Sequence, residues 1–376
     1  MVDYLIVDPE ILSTPGSARN GAGERHGQRR AGMKFRDHFR DSELIFIAEI
    51  GINHNGDPAS AKSLVDAAAG AGAHAVKFQT FVPELMYSAY ASSLLAEGRE
   101  VRKDPAQIDF FRKLALGKDD LLDISRHCRE RNISMFSSPF DDPSIDLLEE
   151  LGVPYYKIAS SEVTNIPLLT RLGGTRKPVI MSTGICMERE IGAAIEALTA
   201  GGAPDVVLLH CVSLYPLPPE RANLRRITAL RERFGLEVGF SDHSPDFRAV
   251  ELAVALGARI IEKHFTLSPG YECPDGAVSL DPEAFRAMGV AARNALAMLG
   301  DGHVGYDIYE KDVAKSARRS LYAKRFIPRG KALEAGDVAP KRPGTGIPAS
   351  RIGELIGKRA LVDIEEDYQL RMEYFE

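Results

Sequence analysis

From Leu44 onward the chain alternates short apolar runs with longer amphipathic stretches. The runs are LIFIA, AVKFQ, ISMFSS, YYKIAS, PVIMSTG, DVVLLHC, EVGF and RIIEK, each bounded by polar or turn-forming residues. Near-continuous apolar runs of this length predict strands buried on both faces, as in a parallel sheet. Between them, SAKSLVDAAAGAGA, DDLLDISRHCRERN, EREIGAAIEALTAGG and similar stretches have helical spacing with one apolar face. A capping residue followed by proline recurs at Asp57-Pro58, Asp142-Pro143, Ser244-Pro245 and Asp281-Pro282, each after a run. Proline costs nothing at the first helical position, so these pairs predict helix starts. Strand–helix units repeated eight times over 44–302 predict a (β/α)8 barrel. An open doubly wound sheet fits less well, because no Gly-rich dinucleotide fingerprint follows the first run.

Outside 44–302 the pattern differs. Residues 1–43 include SARNGAGERHGQRRAG, which has nothing to bury and predicts a disordered extension. Residues 80–117 read as a polar insertion with irregular or short helical structure. Residues 303–315 read as a linker. Residues 316–376 carry short strands and turn signals at Pro328-Arg329-Gly330 and Arg342-Pro343-Gly344, a small β-rich domain near the lower limit for independent stability.

Composition narrows the classes. The 376 residues are 44% hydrophobic and 27% charged, with a net charge of −6. No basic block marks a nucleic-acid partner, and no apolar run approaches the roughly 20 residues that span a membrane. The four cysteines, Cys128, Cys186, Cys211 and Cys273, form no CxxC. The opening MVDYLIVDPE lacks a basic segment followed by an apolar core, so a reducing cytoplasm is the expected compartment.

Barrel chemistry collects at strand C-terminal ends. Those ends supply Glu49 with Asn53 and His54; Lys77 with Gln79; Ser137 and Ser138; Lys157, Ser160, Ser161 and Glu162; Ser182 and Thr183; Ser213 and Tyr215; Ser241, Asp242 and His243; Lys263 and His264. A lysine inside an apolar strand is costly unless paired. Lys77 and Lys157 at one end of a barrel therefore point to a phosphate or carboxylate site. The plainer alternative is a structural pair of Lys157 with Glu49 or Glu162. The stretch 237–266 reads as a strand–helix–strand unit, so its parallel strands end on the same side and bring His243 and His264 together. Two imidazoles converging there, with Asp242, Ser241 and Lys263 alongside, suit a divalent metal. Two unrelated structural histidines are the plainer reading.

At these residues the chain resembles the sialic acid synthase family, which includes N-acetylneuraminate, legionaminic and pseudaminic acid synthases. AEIGINHNG, VKFQTF, SSPFD, YYKIASSE, LHCVSLYPLP, GFSDHS, EKHFTL and KRPGTGI carry the likeness in order and spacing, from about Leu44 to the C-terminus. The resemblance implies a TIM barrel followed by an antifreeze-like (SAF) domain. It implies condensation of phosphoenolpyruvate with the open-chain aldehyde of an N-acetylated hexose, such as N-acetylmannosamine, releasing phosphate. It implies a divalent metal, typically manganese with magnesium or cobalt as alternatives, on His243 and His264. Glu49, Lys77, Lys157 and Glu162 take catalytic positions in it. Gln79, Ser138, Ser160, Ser213, Tyr215, Ser241, Asp275 and Arg342 take substrate-binding positions. In the family that arginine reaches the partner subunit's site, which implies a domain-swapped homodimer. Ser213 stands where Asn is common, and Cys273-Pro274-Asp275-Gly276 departs from the common PDH; both bear on which hexose is used. The other classes considered, a metal-dependent hydrolase or lyase and a non-catalytic carbohydrate-binding protein, sit poorly with few carboxylate ligands and an intact set of charged strand ends.

Overall fold

A computed structural model of the chain describes residues 33–91 and 103–376. The disorder expected for 1–32, and the part of the insertion at 92–102, lie outside the described residues. The chain divides into a unit ending at Leu299 and a second unit, Gly300–Glu376.

The first unit is the expected barrel. Its strands are β1 Ile45–Gly51, β2 Ala75–Thr80, β3 Ser134–Pro139, β4 Tyr156–Ile158, β5 Val179–Ser182, β6 Val206–Cys211, β7 Val238–Asp242 and β8 Ile260–His264. All pairs are parallel, in the order β3-β2-β1-β8-β7-β6-β5-β4. β3 and β4 lie side by side without a backbone ladder, so the ring is nearly closed. Even-numbered Phe46, Ala48, Val76 and Phe78 face the helices, while odd-numbered Ile45, Ile47 and Ala75 fill the ring. This alternation is the two-residue period of a strand, and it decides which side chains can reach the interior.

The proline-marked helix starts hold at Pro58–Gly70, where Asp57 accepts from the N–H groups of Ala59 and Ser60, and at Pro282–Leu299, where Asp281 accepts from Ala284. At Asp142–Leu151 the cap is Asp141, one residue earlier than expected. Ser244-Pro245 is not a helix start: that helix is Arg248–Ala255. Ser244 instead bonds the Asp242 carboxylate through its N–H and hydroxyl, which holds the loop after β7 away from helical geometry.

Part of the expected disordered extension is built into the barrel. Phe35–Phe39 form a 3-10 helix, and Phe35 is fully buried against Tyr155, edge to face at 4.8 Å. The Phe35 N–H donates to Asp205 at 2.9 Å and Arg36 donates to Glu237 at 2.6 Å, residues that precede β6 and β7. The segment therefore plugs the N-terminal end of the ring.

In the second unit, β9 Ser320–Ala323 pairs antiparallel with β10 Val338–Lys341. A 3-10 turn, Ile308–Glu310, and a helix, Lys311–Ala317, occupy the later part of the expected linker. The small core contains Leu321, Ile327, Leu333, Leu355, Ile364 and Phe375. Burial opposes ionisation of Asp337, but hydrogen bonds from Lys331, the Glu334 N–H and Arg325 outweigh it and hold the carboxyl at about 2.

Candidate active site

The inward positions, odd-numbered in β1, β2, β4, β6 and β7 and even-numbered in β3, β5 and β8, turn polar at the C-terminal ends of the strands. Glu49, Lys77, Ser138, Lys157, Ser182, Cys211, Ser241, Glu262 and His264 line one cavity of about 430 Å³. Gly51, at φ +54°, makes room there: a Cβ would stand 3.0 Å from the Glu49 carboxylate.

Four buried charges form its floor. Lys77 Nζ lies 2.8 Å from Glu49 Oε1, 3.9 Å from Glu262 Oε2 and 3.3 Å from Ser138 Oγ. Lys157 Nζ lies 2.6 Å from Ser182 Oγ and 3.5 Å from Glu262 Oε1. Ser241 donates to Glu262 at 2.9 Å, and Gln79 donates to Glu49 at 3.2 Å. The two carboxylates share two lysines unequally. Burial raises both, but Glu262 sits near Lys157 and Lys77 and accepts from Ser241, so its pKa ends below the usual range. For Glu49 burial prevails over Lys77, and the charge on Glu262 adds to the rise, so its pKa ends well above the usual range. Burial lowers the Lys157 pKa, with Glu262 opposing; for Lys77 the same burial is outweighed by Glu262 and Glu49. The alternative structural pairing of Lys157 with Glu49 or Glu162 is not the one found; its carboxylate partner is Glu262, at 3.5 Å.

Two histidines stand on one wall. Their ring centroids are 5.3 Å apart. His243 Nδ1 lies 2.8 Å from the Val212 carbonyl, which makes that nitrogen the donor and leaves Nε2 with its lone pair. Tyr215 Oη lies 3.0 Å from that Nε2. His264 Nδ1 is buried without a hydrogen-bond partner, 3.4 Å from Asp275 Oδ2. Burial, then the neighbouring His264, lowers the His243 pKa to about 4; burial, then Lys77, lowers that of His264 to about 3. Both are neutral imidazoles at pH 7. Among the described residues no group of three or more His, Cys, Asp or Glu forms a metal cage. The orphaned His264 nitrogen and adjacent lone pairs nonetheless fit a divalent ion held by two imidazoles, with Asp275 the nearest carboxylate and open positions for substrate.

The structure brings Glu49, Lys77, Lys157, Gln79, Ser138, Ser160, Ser213, Tyr215, Ser241, Asp275, His243 and His264 to one cavity. Glu162 is outside its lining and accepts from Asn165 at 2.9 Å. Arg342 belongs to the other unit, where it is exposed at the turn after β10. Lys263 and Asp242 do not flank the histidines: they pair at 2.9 Å, fully buried, on the helix-facing side. Asn53 and His54 are structural. Asn53 ties the Phe265 carbonyl, Ser279 and the Asp275 N–H, and His54 accepts from the Gly56 N–H. Sequence reasoning passed over Glu262, although it lies two residues before His264 and so on the same face. It also passed over an apolar rim, Ile52, Tyr87, Phe111, Phe140 and Ile185, whose members come from separate loops.

The buried charge network lies at the C-terminal strand ends, where barrel enzymes carry their active sites. Residues 64–304 match the NeuB family and residues 318–376 match the SAF domain. The chain belongs to the NeuB family. It is 37% identical to N,N'-diacetyllegionaminic acid synthase of Campylobacter jejuni, over 88% of this chain and 99% of that protein. It is 36% identical to a pseudaminic acid synthase of the same species, over 86% of this chain and 94% of that protein. A crystal structure of N-acetylneuraminic acid synthetase from Leptospira borgpetersenii, in complex with citrate, superposes with a TM-score of 0.64 at 32% identity, over 73% of this chain and 90% of that one.

Proposed function

We propose that this enzyme condenses phosphoenolpyruvate with the open-chain aldehyde of an N-acetylated hexose, giving a nine-carbon sialic-type acid and phosphate. The supporting observation is the buried Lys77–Lys157 pair, only partly neutralised by Glu49 and Glu262, in the same cavity as two neutral imidazoles. Lysines so placed hold the phosphate and carboxylate of phosphoenolpyruvate, with Ser138, Ser160, Ser182 and Ser241 as hydroxyl partners. A divalent metal on His243 and His264, manganese in the first instance with magnesium or cobalt as alternatives, supplies polarisation of the aldehyde oxygen. C3 of phosphoenolpyruvate attacks the aldehyde carbon and the new C–C bond forms. Water adds at C2, and the C2–O bond then breaks to release phosphate. Glu49 orients that water and takes its proton; a carboxylate whose pKa is raised by burial is a better base for this than an ordinary one.

Phosphate release measured from phosphoenolpyruvate across a panel of N-acetylated hexoses tests the reading. Release with at least one sugar is expected; binding of phosphoenolpyruvate with no release across the panel overturns it. The closing of the sugar end by Arg342 of a partner subunit, in a cytoplasmic homodimer, is part of the same proposal. Mixing the impaired Glu49→Gln and Arg342→Ala subunits under exchange should raise the activity above that of either variant alone. No recovery despite exchange removes the swapped dimer.

A further inference from the structure

The backbone ladder between β7 and β8 stops one residue short of the two histidines. Its last pair is Asp242 opposite Lys263, and His243 and His264 stand just beyond it. His264 is fixed from its other side, because it pairs with Glu49 on β1 and its carbonyl accepts from the Leu280 N–H. His243 opens a loop, since the helix after β7 does not start until Arg248. Its own bonds run to the loop after β6: Nδ1 donates to the Val212 carbonyl, Tyr215 Oη meets Nε2, and its carbonyl accepts from the Leu217 N–H. None of these reaches β8. Two imidazoles share an ion only when their spacing is set.

Lys263 makes the missing connection. Its ammonium donates to Asp242 Oδ2 at 2.9 Å and to the Ser244 carbonyl. The residue before His264 therefore grips both chain neighbours of His243. Asp242 tightens the same turn: Oδ1 accepts from the Ser244 N–H at 2.8 Å, and Oδ2 from the Ser244 hydroxyl at 2.9 Å. Lys263 and Asp242 are fully buried on the helix-facing side of the wall. One register earlier, on the cavity side, Ser241 donates to Glu262 at 2.9 Å. The two strands are thus clamped on both faces immediately before the histidines. A buried ion pair is weak evidence for stability, because apolar side chains of similar volume often replace it without loss. What apolar groups do not supply is direction, and here the pair fixes the N–H, hydroxyl and carbonyl of one loop residue. Losing a residue that orients a metal-binding imidazole costs about 10–100-fold in metal affinity.

We propose that Lys263 and Asp242 are positioning residues, a buried strut behind the barrel wall that sets the spacing of the His243 and His264 rings and with it the affinity for the divalent ion. The inference rests on the reading that these two imidazoles hold that ion. Manganese alone is titrated into the full chain by calorimetry, with the free ion counted by electron paramagnetic resonance. The decisive protein combines Asp242→Leu with Lys263→Met, which fills the space with apolar groups and strands no charge. Its melting temperature should stay close to that of the wild type. Its manganese Kd should rise by about 10–100-fold. A purely structural pair would give back stability and affinity together. With manganese saturating, the KM for phosphoenolpyruvate should hold, because Lys77 and Lys157 stand on other strands. Asp242→Asn keeps an acceptor oxygen but loses the charge, and should raise the Kd by less. Wild-type affinity in the double variant, or in Asp242→Asn if the double variant does not fold, overturns the inference and leaves the metal reading standing. A wild type that binds no manganese, or His264→Ala that binds it as tightly as the wild type, overturns the metal reading and the strut with it.

Discussion

Along the barrel strands, an apolar inward residue is followed two positions later by a polar or charged one. Ile47 precedes Glu49, Ala75 precedes Lys77, Phe136 precedes Ser138, Tyr155 precedes Lys157, Ile180 precedes Ser182 and Ile260 precedes Glu262. The lower layer, capped by Phe35, is held by excluded apolar area, and any side chain of the right volume would serve. The upper layer is held by mutual pairing of charges that would each be costly alone. One interior therefore has two kinds of stability, divided by height along the barrel axis. A third arrangement, the outward Lys263–Asp242 pair, is as deeply buried as the upper layer but outside the cavity.

The comparison breaks if the upper charges are needed for folding rather than for chemistry. Lys157→Met leaves Glu262 short of a partner and should cost about 3–5 kcal/mol in urea unfolding. Lys157→Met combined with Glu262→Leu extends the lower layer upward, and Lys77 keeps Glu49. Stability should return to within about 1 kcal/mol of the wild type, because well-fitted apolar groups often replace a buried pair without loss. Both proteins should lose phosphate release by roughly 10- to 150-fold, since a charge-assisted contact worth about 1.5–3 kcal/mol is gone. A double variant no more stable than the single one defeats the division.

The converse lies in the lower layer and on the outer face. Phe35→Ala should cost about 3–5 kcal/mol of stability, the range for a buried Phe truncation, with kcat and KM unchanged at 25 °C. Lys263→Met strands a buried Asp242 and should cost about 3 kcal/mol, again without change in the KM for phosphoenolpyruvate. A raised KM in either would mean that the layers are coupled.

The two-residue alternation explains what could be read in advance. Strand ends, the converging histidines and the lysines in AVKFQ and YYKIAS follow from a local period, so they were legible. Glu262 was legible by the same period, because it shares a face with His264, but RIIEK as a run suggests a strand with a polar end rather than a charge in the ring. Phe35 was not legible: FRDHF sits in a Gly- and Arg-rich surround, and its value comes from Asp205, Glu237 and Tyr155, which lie far along the chain. Ser244-Pro245 misled because Asp242 competes for the Ser244 N–H, a tertiary use of a residue that otherwise caps helices. The apolar rim was hidden because its parts come from separate connections.

The finest distinction lies within the upper layer, between its two carboxylates. Burial, reinforced by Glu262, holds Glu49 above the ordinary carboxylate range despite Lys77, while the lysines and Ser241 hold Glu262 below it. If Glu49 is the base, kcat/KM needs its proton-free form. The rate should then rise with pH across the interval above the ordinary glutamate range, by up to about tenfold per pH unit on the limb. The histidines do not produce that limb, because they lose their protons near 4 and 3 and are neutral throughout it. Glu262 does not either, because it is ionised before the limb begins. Glu49→Gln keeps an oxygen acceptor for Lys77 and should leave a lower rate with no such limb. Profiles of kcat/KM for phosphoenolpyruvate need one control, the second ionisation of the substrate phosphate near neutrality, which both proteins see alike. A limb that survives unchanged in Glu49→Gln belongs to the substrate or to another group, and takes the base role away from Glu49.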